Sequence, residues 1–123
     1  MVTITRTIRS DTLAVPIPDS DIKRSYVNAT SAGDNELVAA QGTGIKIRVI
    51  SMIAIAGNAA NTMTLRSAST AISAGFPLAA NGGFAANENS YGWFSTAAGE
   101  ALNVNLSGAT LVAVSITYIL TTV

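Results

Sequence analysis

The sequence has no cysteine and no histidine. Those two absences remove imidazole bases and ligands, thiolate nucleophiles, disulfides and zinc sites, so Ser-His and Cys-His catalysis are excluded. Charge is also scarce. Asp, Glu, Lys and Arg make up 11 % of the 123 residues, less than half of the ~25 % usual in soluble domains. Seven basic and seven acidic side chains leave a formal net charge of zero, which gives no general attraction to nucleic acid or to an anionic membrane. The longest apolar stretches, around Val49–Ala56 and Leu111–Leu120, are broken by Ser51, Gly57, Ser115 and Thr117 and fall short of the ~20 residues of a membrane helix. The opening Met1-Val2-Thr3-Ile4-Thr5-Arg6 alternates polar and apolar residues and lacks the apolar run of a signal peptide, so no secretory export is expected.

What remains is 49 % hydrophobic, in a chain long enough for one domain to bury roughly two-thirds of the surface exposed on unfolding. The little charge there is lies unevenly. All the basic residues (Arg6, Arg9, Lys23, Arg24, Lys46, Arg48 and Arg66) fall before residue 67, and only Glu88 and Glu100 are charged after it. That second half is rich in Ile, Leu, Val and aromatic residues, the opposite of a disordered composition. Close packing or contact must therefore cover much of it.

Period-2 alternation of β-branched residues runs through most of the chain. In Ile45–Ala56 it places Ile45, Ile47, Val49, Ser51, Ile53 and Ile55 on one face and Lys46 and Arg48 on the other; from Ile50 the second face also turns apolar, as in a strand entering a two-sided interior. A turn at Gly57-Asn58-Ala59-Ala60 then leads into Asn61–Arg66, predicting a hairpin or neighbouring strands in which Arg48 and Arg66 face solvent or a partner. Leu102, Val104 and Leu106 alternate with Asn103 and Asn105, and the last run sets Val112, Val114, Ile116 and Tyr118 on one face. Turn clusters at Ser67–Thr70, Asn81–Gly83, Ala97–Glu100 and Ser107–Ala109 separate these runs. There is room for no more than a helical turn, near Ala79–Ala80 or Ala97–Ala98. With Tyr26–Val27 and Glu36–Ala40 the count reaches about eight strands. The expectation is an all-β, antiparallel two-sheet sandwich, a jelly roll in preference to an immunoglobulin-like arrangement. Pro16 and Pro18 force an extended connection, so residues 1–24 read as an arm or edge strand and 25–123 as the sandwich domain.

Few residues offer chemistry. Asp19-Ser20-Asp21 and Asp34-Asn35-Glu36 are the clusters of oxygen ligands, yet neither supplies the repeated positions of a calcium loop, and turn-stabilising carboxylates explain them better. Paired-carboxylate catalysis would have to draw on these or on Glu88 and Glu100, with no sign of convergence. Gly42-Thr43-Gly44 precedes a strand and lacks the Lys of a phosphate loop, so it is a tight turn. No catalytic residue, metal or cofactor is expected, and the chain reads as a non-enzyme. Tyr91, Trp93 and Phe94 are three of the seven aromatic residues; they belong either to the core or to a subunit interface, where such side chains act as anchors. Arg6, Arg9, Lys23 and Arg24 are either solvated charges or contacts to an acidic protein surface.

Several stretches carry a resemblance: Ile47-Arg48-Val49-Ile50-Ser51, Ser67–Ser73, Leu78-Ala79-Ala80-Asn81-Gly82-Gly83, Gly92-Trp93-Phe94 through Leu106, and the closing β-run. Over roughly residues 40–120 the chain resembles small virion proteins of tailed bacteriophages. The resemblance implies a β-sandwich that decorates the head or forms part of a fibre, with no catalytic residues. On that basis the expected function is a decoration, or cement, protein, made in the bacterial host cytoplasm and seated on the outer capsid surface. It would bridge major capsid protein subunits, as a homotrimer, without nucleic acid or membrane. The alternative is a tail-fibre or receptor-binding module presenting loops such as Asn81–Asn89.

Overall fold

The structure, a computed structural model, describes residues 21–122. Among them are ten strands: β1 (Lys23–Ala29), β2 (Gly33–Val38), β3 (Ile45–Ala56), β4 (Asn61–Ser67), β5 (Thr70–Ala71), β6 (Phe76–Leu78), β7 (Gly83–Ala86), β8 (Phe94–Ser95), β9 (Leu102–Leu106) and β10 (Val112–Thr122). They form two antiparallel sheets, and the described residues include no α-helix. Sheet A has the order β1-β10-β3-β7, with β8 also on β3; sheet B has the order β2-β9-β4-β5, with β6 also on β4.

The two sheets bury their apolar alternations against each other. Ile47, Val49, Met52 and Ala54 from β3 and Val112, Val114 and Ile116 from β10 share one core with Met63 and Leu65 of β4 and Leu102, Val104 and Leu106 of β9. Each fully buried aliphatic chain contributes ~1.5–3 kcal/mol. Alternation in β4, β9 and β10 follows the expected faces, with Asn103, Asn105, Thr62 and Thr64 half-buried on the outside. The final strand, β10, lies between β1 and β3 in sheet A, so the end of the chain is tied into the middle of a sheet.

Several local expectations change. Strands β3 and β4 are neither a hairpin nor neighbours, because they belong to opposite sheets. The Gly57–Ala60 connection crosses between sheets. Its backbone bonds go elsewhere: Gly57 N–H donates to the Leu111 carbonyl at 2.8 Å, and the Gly57 carbonyl accepts from Asn81 N–H. Arg48 and Arg66 consequently point out of opposite sides of the molecule. Asp34-Asn35-Glu36 lies inside β2 and is strand, not turn; pairing with β9 aims Asp34 and Glu36 at solvent. At Ala79–Gly82 and Ala97–Glu100 the chain makes non-helical turns closed by i to i+3 bonds.

The largest departure is in β3. Tyr118 lies opposite Val49 and Thr117 opposite Ser51, so Ile50 is an extra residue, a β-bulge. A bulge inverts the facing of everything after it. Before it, Ile47 and Val49 point inward and Lys46 and Arg48 outward. Beyond it, Met52, Ala54 and Ala56 are buried, while Ile53 and Ile55 are 50 % and 48 % exposed. The second half of β3 thus has one buried face, not two.

Candidate functional site

Inverting β3 builds a surface. On the outer face of sheet A, Tyr26 of β1 pairs with Ser115 of β10, Ser115 with Ile53 of β3, and Ile53 with Ala85 of β7. The next row runs Asn28, Ala113, Ile55 and Gly83, and on the other side Arg24, Thr117 and Ser51. Serine, threonine, alanine and glycine make a low floor above which three large apolar side chains rise. Tyr26 is the most prominent, at 73 % exposure. Exposed large apolar residues gathered on one face mark interaction sites more often than isolated ones do.

Between the raised elements runs a groove of about 620 Å³. Arg24 and Tyr26 form one bank, Asn87 and Glu88 the other, and Ser51 and Thr117 lie in its floor. The two floor hydroxyls hydrogen-bond to each other. Beside it, a second hollow of about 280 Å³ is lined by Ile53, Ile55, Gly83 and Ala85 among others. Gly83 is obligatory there, since a Cβ would overlap the Ala54 carbonyl across the strand pair.

One wall of the groove is fixed by the β7–β8 connection. Asn89 N–H donates to the Ile50 carbonyl and Trp93 N–H to the Val49 carbonyl, both at 2.8 Å. The bulge therefore also anchors this loop. Gly92, at φ +85°, passes so close over Arg48 that a Cβ would overlap its stem, which leaves Arg48 half-buried. The three clustered aromatics separate. Phe94 packs inward, its ring 6.3 Å from that of Phe76; Trp93 donates its indole N–H to the Asn87 carbonyl at 2.7 Å; Tyr91 stands exposed.

Lys23 and Arg24 are the first residues of β1, paired with Tyr118 and Thr117, and both are exposed. Arg6 and Arg9 lie outside the described residues. Arg24, Lys46 and Arg48 give the outer side of sheet A its positive charge, offset by Glu88. Sheet B is different in character, with Asp34, Glu36, Asn103, Asn105 and Arg66 outward. The one ion pair among the described residues, Arg66–Asp34 at 3.7 Å, is there, and as a part-exposed pair it contributes little. Among the described residues no group of three or more Asp or Glu is placed to hold a metal ion, and no helix is long and apolar enough to cross a membrane.

Tyr26, Ile53 and Ile55 are the surface residues that alternation alone misplaces or passes over. The available signal was the pair Lys46 and Arg48, which fixes the facing of the first half of β3, together with the small residues Ala54 and Ala56, which suit close packing against sheet B. No protein-family model matches the chain, and neither a curated protein nor a solved structure is significantly similar to it.

Proposed function

We propose that the chain is a non-enzymatic structural protein of a bacteriophage virion, which decorates the capsid and stabilises it by bridging adjacent capsid subunits. The observation that carries this reading is the outer face of sheet A: Tyr26, Ile53 and Ile55 exposed above a floor of short side chains. Such a face is costly to leave in water and useful to cover. The strand order also supports a jelly roll. Orders β1-β10-β3-β7 and β2-β9-β4-β5 are those obtained when an antiparallel ribbon with the strand pairs β1/β10, β2/β9, β3/β7 and β4/β5 is wound so that successive pairs alternate between two sheets.

The mechanism is additive burial. Each contact removes apolar area from water at ~25 cal/mol per Å², and repetition over a symmetric shell turns modest contacts into a persistent coat. Catalysis is not required, and the lack of His and Cys costs such a protein nothing. An imaging reconstruction of intact particles tests the reading. Density for the sandwich on the outer capsid surface, spanning subunit boundaries, is the expected result; density confined to the tail would overturn it in favour of a fibre module.

A further inference from the structure

The outer face of sheet A has a pattern that fits itself. Along the row Tyr26, Ser115, Ile53, Ala85 the side chains run large, small, large, small across four strands. A two-fold axis lying between two facing sheets and parallel to their strands sets β1 against β7 and β10 against β3. Under that operation the row meets its own reverse. Tyr26 falls on Ala85 and Ile53 on Ser115, and in the next row Ile55 falls on Ala113 and Asn28 on Gly83. Every large residue meets a small one. The hollow beside Ile53 and Ile55, kept open by Gly83, receives the projecting Tyr26 ring.

Charge agrees with shape. The same operation carries Arg24, on one bank of the groove, to the Asn87–Glu88 bank of the other copy. Within the chain neither Arg24 nor Glu88 has an ion-pair partner among the described residues. A two-fold makes the contact twice, Arg24 to Glu88 and Glu88 to Arg24, as isologous interfaces require. We infer that the outer face of sheet A is a homodimer interface, occupied by a second copy of this chain packed sheet to sheet about its strand direction. Of the reading above, this takes only that the face is a contact surface, and it assigns the occupant: a second copy covers the face, so the dimer meets the capsid through its other surfaces. It gives a two-fold unit where the sequence led to the expectation of a three-fold one.

Four strands spaced ~4.8 Å apart and about three outward positions per strand make a small patch, at the low end for specific interfaces. The dimer is therefore concentration dependent. Sedimentation equilibrium of the full chain, from about 10 μM to about 1 mM, is expected to show the mass rising from 12.5 kDa toward twice that value. Ile53→Asp, at a half-exposed site, abolishes the rise. Arg24→Glu alone and Glu88→Arg alone each create two like-charge contacts and raise the dissociation constant at least about tenfold. An equimolar mixture of those two variants makes both contacts complementary again and restores wild-type association. Circular dichroism of each variant separates weakened association from unfolding. A chain monomeric throughout, a dimer indifferent to Ile53→Asp, or a mixture of charge variants that fails to recover would overturn the proposal. If the chain is monomeric yet Ile53→Asp strips it from virions, another virion protein occupies the face; the dimer is then refuted while the decoration reading stands.

Discussion

Replacing Asn61 with leucine should cost more stability than any other single polar substitution among the described residues. Asn61 opens β4 and is 94 % buried by complement of its 6 % exposure. Its amide nitrogen donates to the Gly108 carbonyl at 2.9 Å, the Thr110 carbonyl at 3.0 Å and the Thr110 hydroxyl at 2.9 Å. Its oxygen accepts from the Ser107 hydroxyl at 2.9 Å and from Gly108 N–H at 3.1 Å. One side chain thus holds the β9–β10 loop against sheet B. Each such bond contributes about 1 kcal/mol net, and stranded buried partners add a desolvation cost. Ser107 is exposed, and Gly108 and Thr110 only half-buried, so part of the loop can rehydrate, which brings the expected loss to ~2–4 kcal/mol. That is a large share of the ~5–15 kcal/mol typical of a domain, and about 10–25 °C in Tm. Urea unfolding followed through Trp93, the single tryptophan, measures it, with an unchanged slope against denaturant. A loss below about 1 kcal/mol would refute the claim that this residue clamps the loop.

Leu65→Ala opens a cavity at a fully buried site between the sheets and should cost ~2–5 kcal/mol in the same urea assay. Gly92→Ala forces a side chain into a backbone at φ +85° and into the Arg48 stem; a loss of ~1–3 kcal/mol is expected, with a changed tryptophan emission because Trp93 adjoins the displaced turn. Removing residues 1–20 leaves all ten described strands in the chain, so circular dichroism should retain a β spectrum, while binding to particles should weaken.

Much of this architecture was legible because period-2 alternation is a direct readout of facing wherever polar and apolar residues differ sharply. Leu102, Val104 and Leu106 against Asn103 and Asn105 left a single choice, and so did Met63 and Leu65 against Thr62 and Thr64. Pairing was harder. A Gly-Asn-Ala-Ala turn between two strands reads as a hairpin, and only the long-range bonds of Gly57 to Leu111 and Asn81 send β4 into the other sheet. The interaction face was hidden for a related reason. From Val49 to Ala56 both faces are apolar or small, so a slip of one residue leaves no trace in the pattern, and the bulge at Ile50 is invisible to periodicity. Tyr26 lay in a segment that shows little more than a short strand. The aromatic cluster was conspicuous by composition, yet its three rings serve different ends, and only Tyr91 and Trp93 reach the surface.

The claim that the chain is a structural coat component is tested most directly by counting it. Quantitative mass spectrometry of purified virions, referenced to the major capsid protein, should find it on the order of hundreds of copies per particle, as occupation of symmetry-related sites over a capsid requires. A few tens of copies or fewer would contradict the account.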